Sequence, residues 1–120
     1  MTLNYKIRPR MLRTEEDLLI RVLLSSQQNK LDFLRQLDIA LVSDMQDGGM
    51  GSIRFVCDEN RHLGRAIVEA DYVDSDDVLV SIVVNVDQNE RLFEVDMWKV
   101  NFLPLRRYPS PEAVTIKKPV

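Results

Sequence analysis

The segment LFEVDMWK, Leu92–Lys99, alternates side chain by side chain, and this period of two limits the fold more than any other feature of the chain. Successive strand residues point to opposite faces, so Phe93, Val95 and Met97 are expected on one side. Leu92, Glu94, Asp96 and Trp98 are expected on the other. Four further stretches carry strand patterning: Ile39–Met45, Ser52–Cys57, Arg65–Val73 and Val78–Asp87. The turns between them are Asp47-Gly48-Gly49, Asp58-Glu59-Asn60, Asp74-Ser75-Asp76-Asp77 and Gln88-Asn89. Connections this short cannot carry a parallel crossover, so a mainly antiparallel meander of about five strands is expected.

Upstream the period changes to that of a helix. Thr14 opens the first helix, with Asp17 three places on completing a capping box in its looser acidic form and Glu15 and Glu16 favouring the first turn. Leu18, Leu19, Val22 and Leu23 give it one apolar stripe. Leu31, Phe33, Leu34 and Leu37 suggest a shorter second helix with Asn29 as N-cap. Helices followed by strands is the α+β pattern, with both helices packed on one sheet face. The expected organisation is a single domain over 1–120, with a basic arm at 1–13, a helical part at 14–37, the sheet at 38–103 and an irregular segment at 104–120. Val114–Ile116 could add an edge strand that Lys117 and Lys118 keep from pairing further.

Register assigns the faces. If the Gln88-Asn89 turn pairs Asp87 with Glu90, Val83 opposes Glu94 and Ser81 opposes Asp96. Val80, Ile82 and Val84 then share the helix-bearing face with Phe93, Val95 and Met97. A loop of Asp74–Asp77 would turn Glu69 and Asp71 into the core, where an unpaired charge is costly. Adding Val73 to the loop instead turns Ala66, Val68, Ala70 and Tyr72 inward. Glu69, Asp71, Glu94, Asp96 and Trp98 then lie together on the outer face. The plainer account of that face is a solvated surface neutralised by Arg54 or by the N-terminal arm. The sharper account is a binding surface, because tryptophan anchors interfaces and charge steers partners.

A net charge of −3 and a pI of about 5.1 argue against nucleic acid, whose phosphates select a basic excess. The longest apolar run is far short of a membrane span, no secretory signal follows Met1, and the lone Cys57 suits a reducing compartment, so a cytoplasmic protein is expected. The glycine-rich Asp47–Ser52 leads into a strand and lacks the lysine of a phosphate loop, which makes a tight turn needing positive φ the reading. His62 is the only histidine, and the alternation puts Cys57 on the core side with Ile53 and Phe55, where a thiol is inert. Asp74, Asp76 and Asp77 lack the glycine and distal glutamate of a calcium loop and read as a polar hairpin turn. No catalytic, metal or cofactor residues are expected.

The segments DGGMGS, Asp47–Ser52, and LFEVDMWKVNFLPL, Leu92–Leu105, resemble a family of small bacterial proteins of unknown function. Its pattern is DGGMGS before a strand, then VSINLNVDxxGxLFELDxWKxDFSPL. Glu90 stands where that pattern has glycine, Asn101 where it has aspartate and Leu103 where it has serine. In size and acidity such proteins are similar to immunity proteins of toxin systems.

The expected function is therefore non-enzymatic: a cytoplasmic immunity protein that neutralises a basic toxin domain through Glu69, Asp71, Glu94, Asp96 and Trp98. Two alternatives stand beside it. One is a small enzyme or ligand-binding domain with a pocket between helices and sheet. The other is a structural homodimer that uses the same face isologously.

Overall fold

The computed structural model describes residues 8–58 and 60–117. Most of the N-terminal arm, together with Glu59 and Lys118, lies outside the described residues. Strand β1 is Arg10–Met11; helices α1 (Thr14–Leu24) and α2 (Lys30–Asp38) follow. Then come β2 (Leu41–Asp44), β3 (Ile53–Phe55), β4 (Leu63–Val73), β5 (Leu79–Asp87), β6 (Leu92–Lys99), one 3-10 turn at Pro111–Ala113 and β7 (Thr115–Ile116). All pairings are antiparallel in one seven-stranded sheet ordered β1-β2-β3-β6-β5-β4-β7.

The α+β class and the two helices on one sheet face match the expectation, but the sheet is wider than five strands and is not a simple meander. Two runs of successive hairpins, β2–β3 and β4–β5–β6, are joined out of sequence order: β3 pairs with β6, Ile53 opposite Val95, instead of with β4. Of the two edge strands, β7 falls within the expected Val114–Ile116 strand, whereas β1 is not among the expected strands and, with two residues, is too short to show a period. Part of the supposed basic arm is thus a strand, and the reason is Arg10. Its guanidinium grips Glu16 with two bonds of 2.8 Å and reaches Asp44 at 2.7 Å, tying β1 to α1 and β2.

The same ion pair rotates α1. Glu16 is 1% exposed, and the buried stripe runs Glu16, Leu19, Ile20, Leu23, Leu24, while Leu18 is exposed and Val22 half-buried. An apolar-only reading cannot place a glutamate inside, so it sets the stripe one position off. Glu16 also accepts the Arg13 N–H at 2.8 Å, so the box closes on Arg13 and Glu16 and not on Thr14 and Asp17. In α2 the buried residues are Phe33 and Leu37, and Asn29 holds the N-cap position without a side-chain bond.

The apolar layer joins Leu19, Ile20, Leu23, Leu24, Phe33 and Leu37 to Val68, Ala70, Tyr72, Val80, Ile82, Val84, Val95 and Met97 of the sheet. Both hairpins keep the expected facing for these residues, but by different loops. Val73 pairs with Leu79, so Val78, not Val73, is the residue taken into the first loop. In the second, Val83 opposes Asp96 and Ser81 opposes Trp98, a shift of two places along β6 that preserves the faces.

Irregularities in the ladder reverse three assignments. Between Asn85 and Val86 the partner on β6 jumps from Glu94 to Leu92, leaving Phe93 as the extra residue of a bulge. Leu92 therefore joins the core, whereas Phe93 turns to the outer side beneath the guanidiniums of Arg54 (4.7 Å) and Arg61 (5.3 Å). A similar shift between Ala66 and Val68 puts Ile67 in the core and leaves Ala66 exposed. Cys57 lies beyond the end of β3 and is half-buried, outside the core cluster.

The glycine turn forms as expected: Gly48, Gly49 and Gly51 have φ of 76°, 82° and 100°. Asp47 closes it, its carboxylate accepting the N–H groups of Met50 (3.1 Å) and Ser52 (2.9 Å).

A bare acidic face and its aromatic end

Among the described residues no helix covers the outer side of the sheet. Three cross-strand rows on it follow from the register: Asp71–Ser81–Trp98, Glu69–Val83–Asp96, and Ala66–Asn85–Glu94–Arg54. The five residues singled out in the sequence thus share one face, but their environments separate them. Glu94 is 8% exposed, pairs with Arg54 at 2.9 Å and accepts from Asn85 Nδ2 at 3.1 Å. Asp71 lies 3.4 Å from Lys117 Nζ across the edge with β7. These two carboxylates are already neutralised.

Asp96 and Glu69 are not. Neither makes an ion pair among the described residues. Asp96 is exposed, with the Ser52 hydroxyl at 3.3 Å. Although the residue as a whole is exposed, its carboxyl is partly withdrawn from water; this desolvation, then repulsion from Glu94 and, less strongly, from Asp47, push its pKa above the usual aspartate range, with Ser52 opposing the shift. The fold therefore penalises the charged form of Asp96. Asp96→Asn removes that penalty, which is present at neutral pH and disappears as pH falls below the ordinary 3.8, where Asp96 is protonated in both states. The substituted chain is expected to melt higher than the parent at pH 7, with the gap closing toward pH 3; thermal melts across that range check it.

Trp98 is 45% exposed, and its ring centroid lies 5.9 Å from that of Phe102, an aromatic the sequence reading left out. Exposed Val73, Leu79 and Val100 continue this apolar end of the face. The signal for Phe102 was present in the sequence as one more alternating aromatic after Trp98, but Phe102 lies past the end of β6, where period two no longer assigns a face.

A buried ionic clasp holds this end together. Lys99 is fully buried, its ammonium 2.8 Å from both Asp74 and Asp76 and 3.3 Å from the Pro104 carbonyl. Asp74 also accepts the N–H groups of Ser75 (2.7 Å), Arg106 (2.8 Å) and Arg107 (3.0 Å). Burial would raise the Asp74 pKa, but Lys99 and these backbone donors outweigh it and hold the carboxyl at about 2. Burial likewise pulls the Lys99 ammonium down, yet the two carboxylates keep it above the usual lysine range. The polar turn Asp74–Asp77 is therefore a lysine receptor as well as a hairpin loop. No cluster of metal-ligating side chains occurs among the described residues.

A cleft of about 450 Å³ does lie between α2 and the sheet, lined by Gln36, Phe55, Cys57, Arg61 and Leu92 among others. Two of its polar side chains, Arg61 and Gln36, are engaged within the fold. Arg61 is bonded to Asp87, the Leu92 carbonyl and the Phe55 carbonyl, and Gln36 Oε1 accepts the Leu92 N–H at 2.9 Å. His62 is exposed and lies outside the cleft lining.

Two of the three positions that depart from the sequence pattern, Glu90 and Asn101, are accounted for locally. Glu90 has φ 63°, a left-handed conformation in which glycine is unstrained, and Arg65 bonds its carboxylate. Asn101 Oδ1 accepts the Leu103 N–H at 3.1 Å, a role an aspartate fills equally. No described helix is long and apolar enough to cross a membrane.

No curated protein and no solved structure matches the chain. A family model does match, over residues 9–109, and the chain belongs to that family, a domain of unknown function, DUF6984.

Proposed function

We propose that this chain is a protein-binding module that offers its bare sheet face to a basic partner and, more specifically, that it is a cytoplasmic immunity protein neutralising a toxin domain. The observation that carries the reading is Asp96: an exposed carboxylate without a cation among the described residues, beside the half-exposed Trp98, on a face that no described helix covers. An uncompensated acid next to an exposed aromatic combines charge steering with a desolvated anchor. The acidic pI of about 5.1 favours the same class of partner. A homodimer through this face would bring like charges together, and in the cleft beside α2 Arg61 and Gln36 are already bonded within the fold.

The test is co-expression with a toxin encoded beside this gene. The parent chain is expected to restore growth and to co-purify with the toxin. The pair Glu69→Lys and Asp96→Lys is expected to weaken binding roughly 100-fold with little change in melting temperature. Protection that survives both reversals would remove the acidic face from the mechanism.

A further inference from the structure

Phe102 is held at φ 63°, a left-handed conformation that bulky side chains rarely adopt, and it is 69% exposed. The strain is built in from both sides: the Phe102 N–H donates to the Lys99 carbonyl at 2.9 Å, and Lys99 Nζ donates to the Pro104 carbonyl. Asp77 and Glu90 adopt the same φ in the hairpin turns, so the turn accounts for the backbone; what it leaves unexplained is a phenylalanine ring held in solvent beside Trp98. With Trp98, Phe102 makes a shelf that ends where the free carboxylates begin.

We propose that the element received here is a basic amphipathic helix of the partner, its apolar stripe on the Trp98–Phe102 shelf and a lysine or arginine reaching Asp96 and Glu69. This rests on the protein-binding reading above. The partner approaches the sheet face-on, where the ladder bonds of β4, β5 and β6 are already made, so it must bring a backbone satisfied within itself. A helix does so, and helices already cover the opposite face. Strand addition has little to work with, since both edge strands have two residues. The spacing also fits. Trp98 and Asp96 are two places apart on one strand, roughly 7 Å, and Glu69 and Asp96 are two strands apart, roughly 10 Å. A helix lying along β6 rises about 5.4 Å per turn, so one anchored on Trp98 meets Asp96 between one and two turns later, with Glu69 to its side across the strands. The uncompensated acids set the sign of its charge, and they disfavour an anionic membrane or a second copy of this chain.

Trp98 is the only tryptophan, so its fluorescence reports the shelf directly. The probe is a synthetic helical peptide with leucines at i, i+3, i+4 and i+7 and lysines in the following turn, added to the full chain. Two controls are the same peptide with glutamates for lysines and a strand-forming peptide of alternating Leu and Lys. The lysine helix is expected to blue-shift Trp98 saturably and to weaken as ionic strength rises from about 0.05 to 0.5 M. Phe102→Gly relieves the backbone strain, so it is expected to leave the melting temperature unchanged or raised while lowering peptide affinity roughly tenfold. Equal binding by the glutamate helix, or a shift with anionic vesicles in its place, overturns the proposal. If the strand-forming peptide binds better, the helix is wrong and the protein-binding face stands. If no peptide shifts Trp98, the helix is also overturned, and the face is judged by toxin co-purification alone.

Discussion

Asp74→Ala is expected to lower the stability of the chain by about 3–5 kcal/mol, the usual loss when one partner is removed from a buried ion pair. The carboxylate is 2% exposed and serves four donors at once: the Lys99 ammonium and the N–H groups of Ser75, Arg106 and Arg107. Alanine leaves the ammonium with Asp76 and the Pro104 carbonyl, and it leaves three backbone donors unserved. Asp76→Asn should do much less harm, because the Asp76 side chain is 19% exposed and keeps an acceptor. Urea denaturation of both variants checks the ranking, and a loss below about 1 kcal/mol for Asp74→Ala would mean that the buried pair does not form. The pH dependence has a definite sign. Asp74 falls from 3.8 when unfolded to about 2 when folded, so its contribution is complete above pH 3.8 and is lost as pH drops through about 2. In Asp74→Ala this component of the acid sensitivity should be missing.

Glu94→Lys and Asp96→Lys, two places apart on one strand and one face, should behave as opposites. Glu94 is buried against Arg54 and Asn85, so reversal puts a second cation beside Arg54 in a site with little water. A loss of about 3–5 kcal/mol is expected, which makes any change in partner binding uninterpretable. Asp96 faces Glu94 and Asp47 without a cation among the described residues, so a lysine there gains attraction and should leave stability within about 1 kcal/mol of the parent. Its effect should fall on the partner instead. Denaturation curves for the two variants, read beside binding, check this: equal destabilisation would show that Asp96 is as structurally committed as Glu94.

That contrast also marks how far the sequence could be read. Period two located β4, β5 and β6 and put Glu69, Asp71, Glu94, Asp96 and Trp98 on one face, because a face with buried apolar residues fixes register modulo two even when the loop length is wrong. It could not say which acids had partners. Arg54 reaches Glu94 through a β3–β6 pairing between strands 40 residues apart in the Arg54–Glu94 bond, and nothing local encodes that contact. Phe93 and Leu92 exchanged sides for a related reason: a bulge inserts a residue, and alternation carries no mark of where it happens. Lys99 and Asp74 look like ordinary surface residues in a polar hairpin and at a strand end. Only the tertiary fold closes them in, just as only Arg10 explains a glutamate inside α1. The glycine turn was legible throughout, because the φ values it needs are a property of the residues themselves.

The strand order has a consequence for how the chain is made. Because β3 sits beside β6, the hairpin β2–β3 has no neighbour on its inner edge until residues through Glu94 and Val95 have been synthesised. The apolar stripes of α1 and α2 face the same wait, since the residues that cover them lie mainly on β4, β5 and β6. Folding on the ribosome is therefore expected to be a single late event, with a barrier set by closing the loop between β3 and β6, and not a stepwise assembly from the N-terminus. Until that closure, the leucines of α1 and α2 lack the sheet residues that cover them in the folded chain.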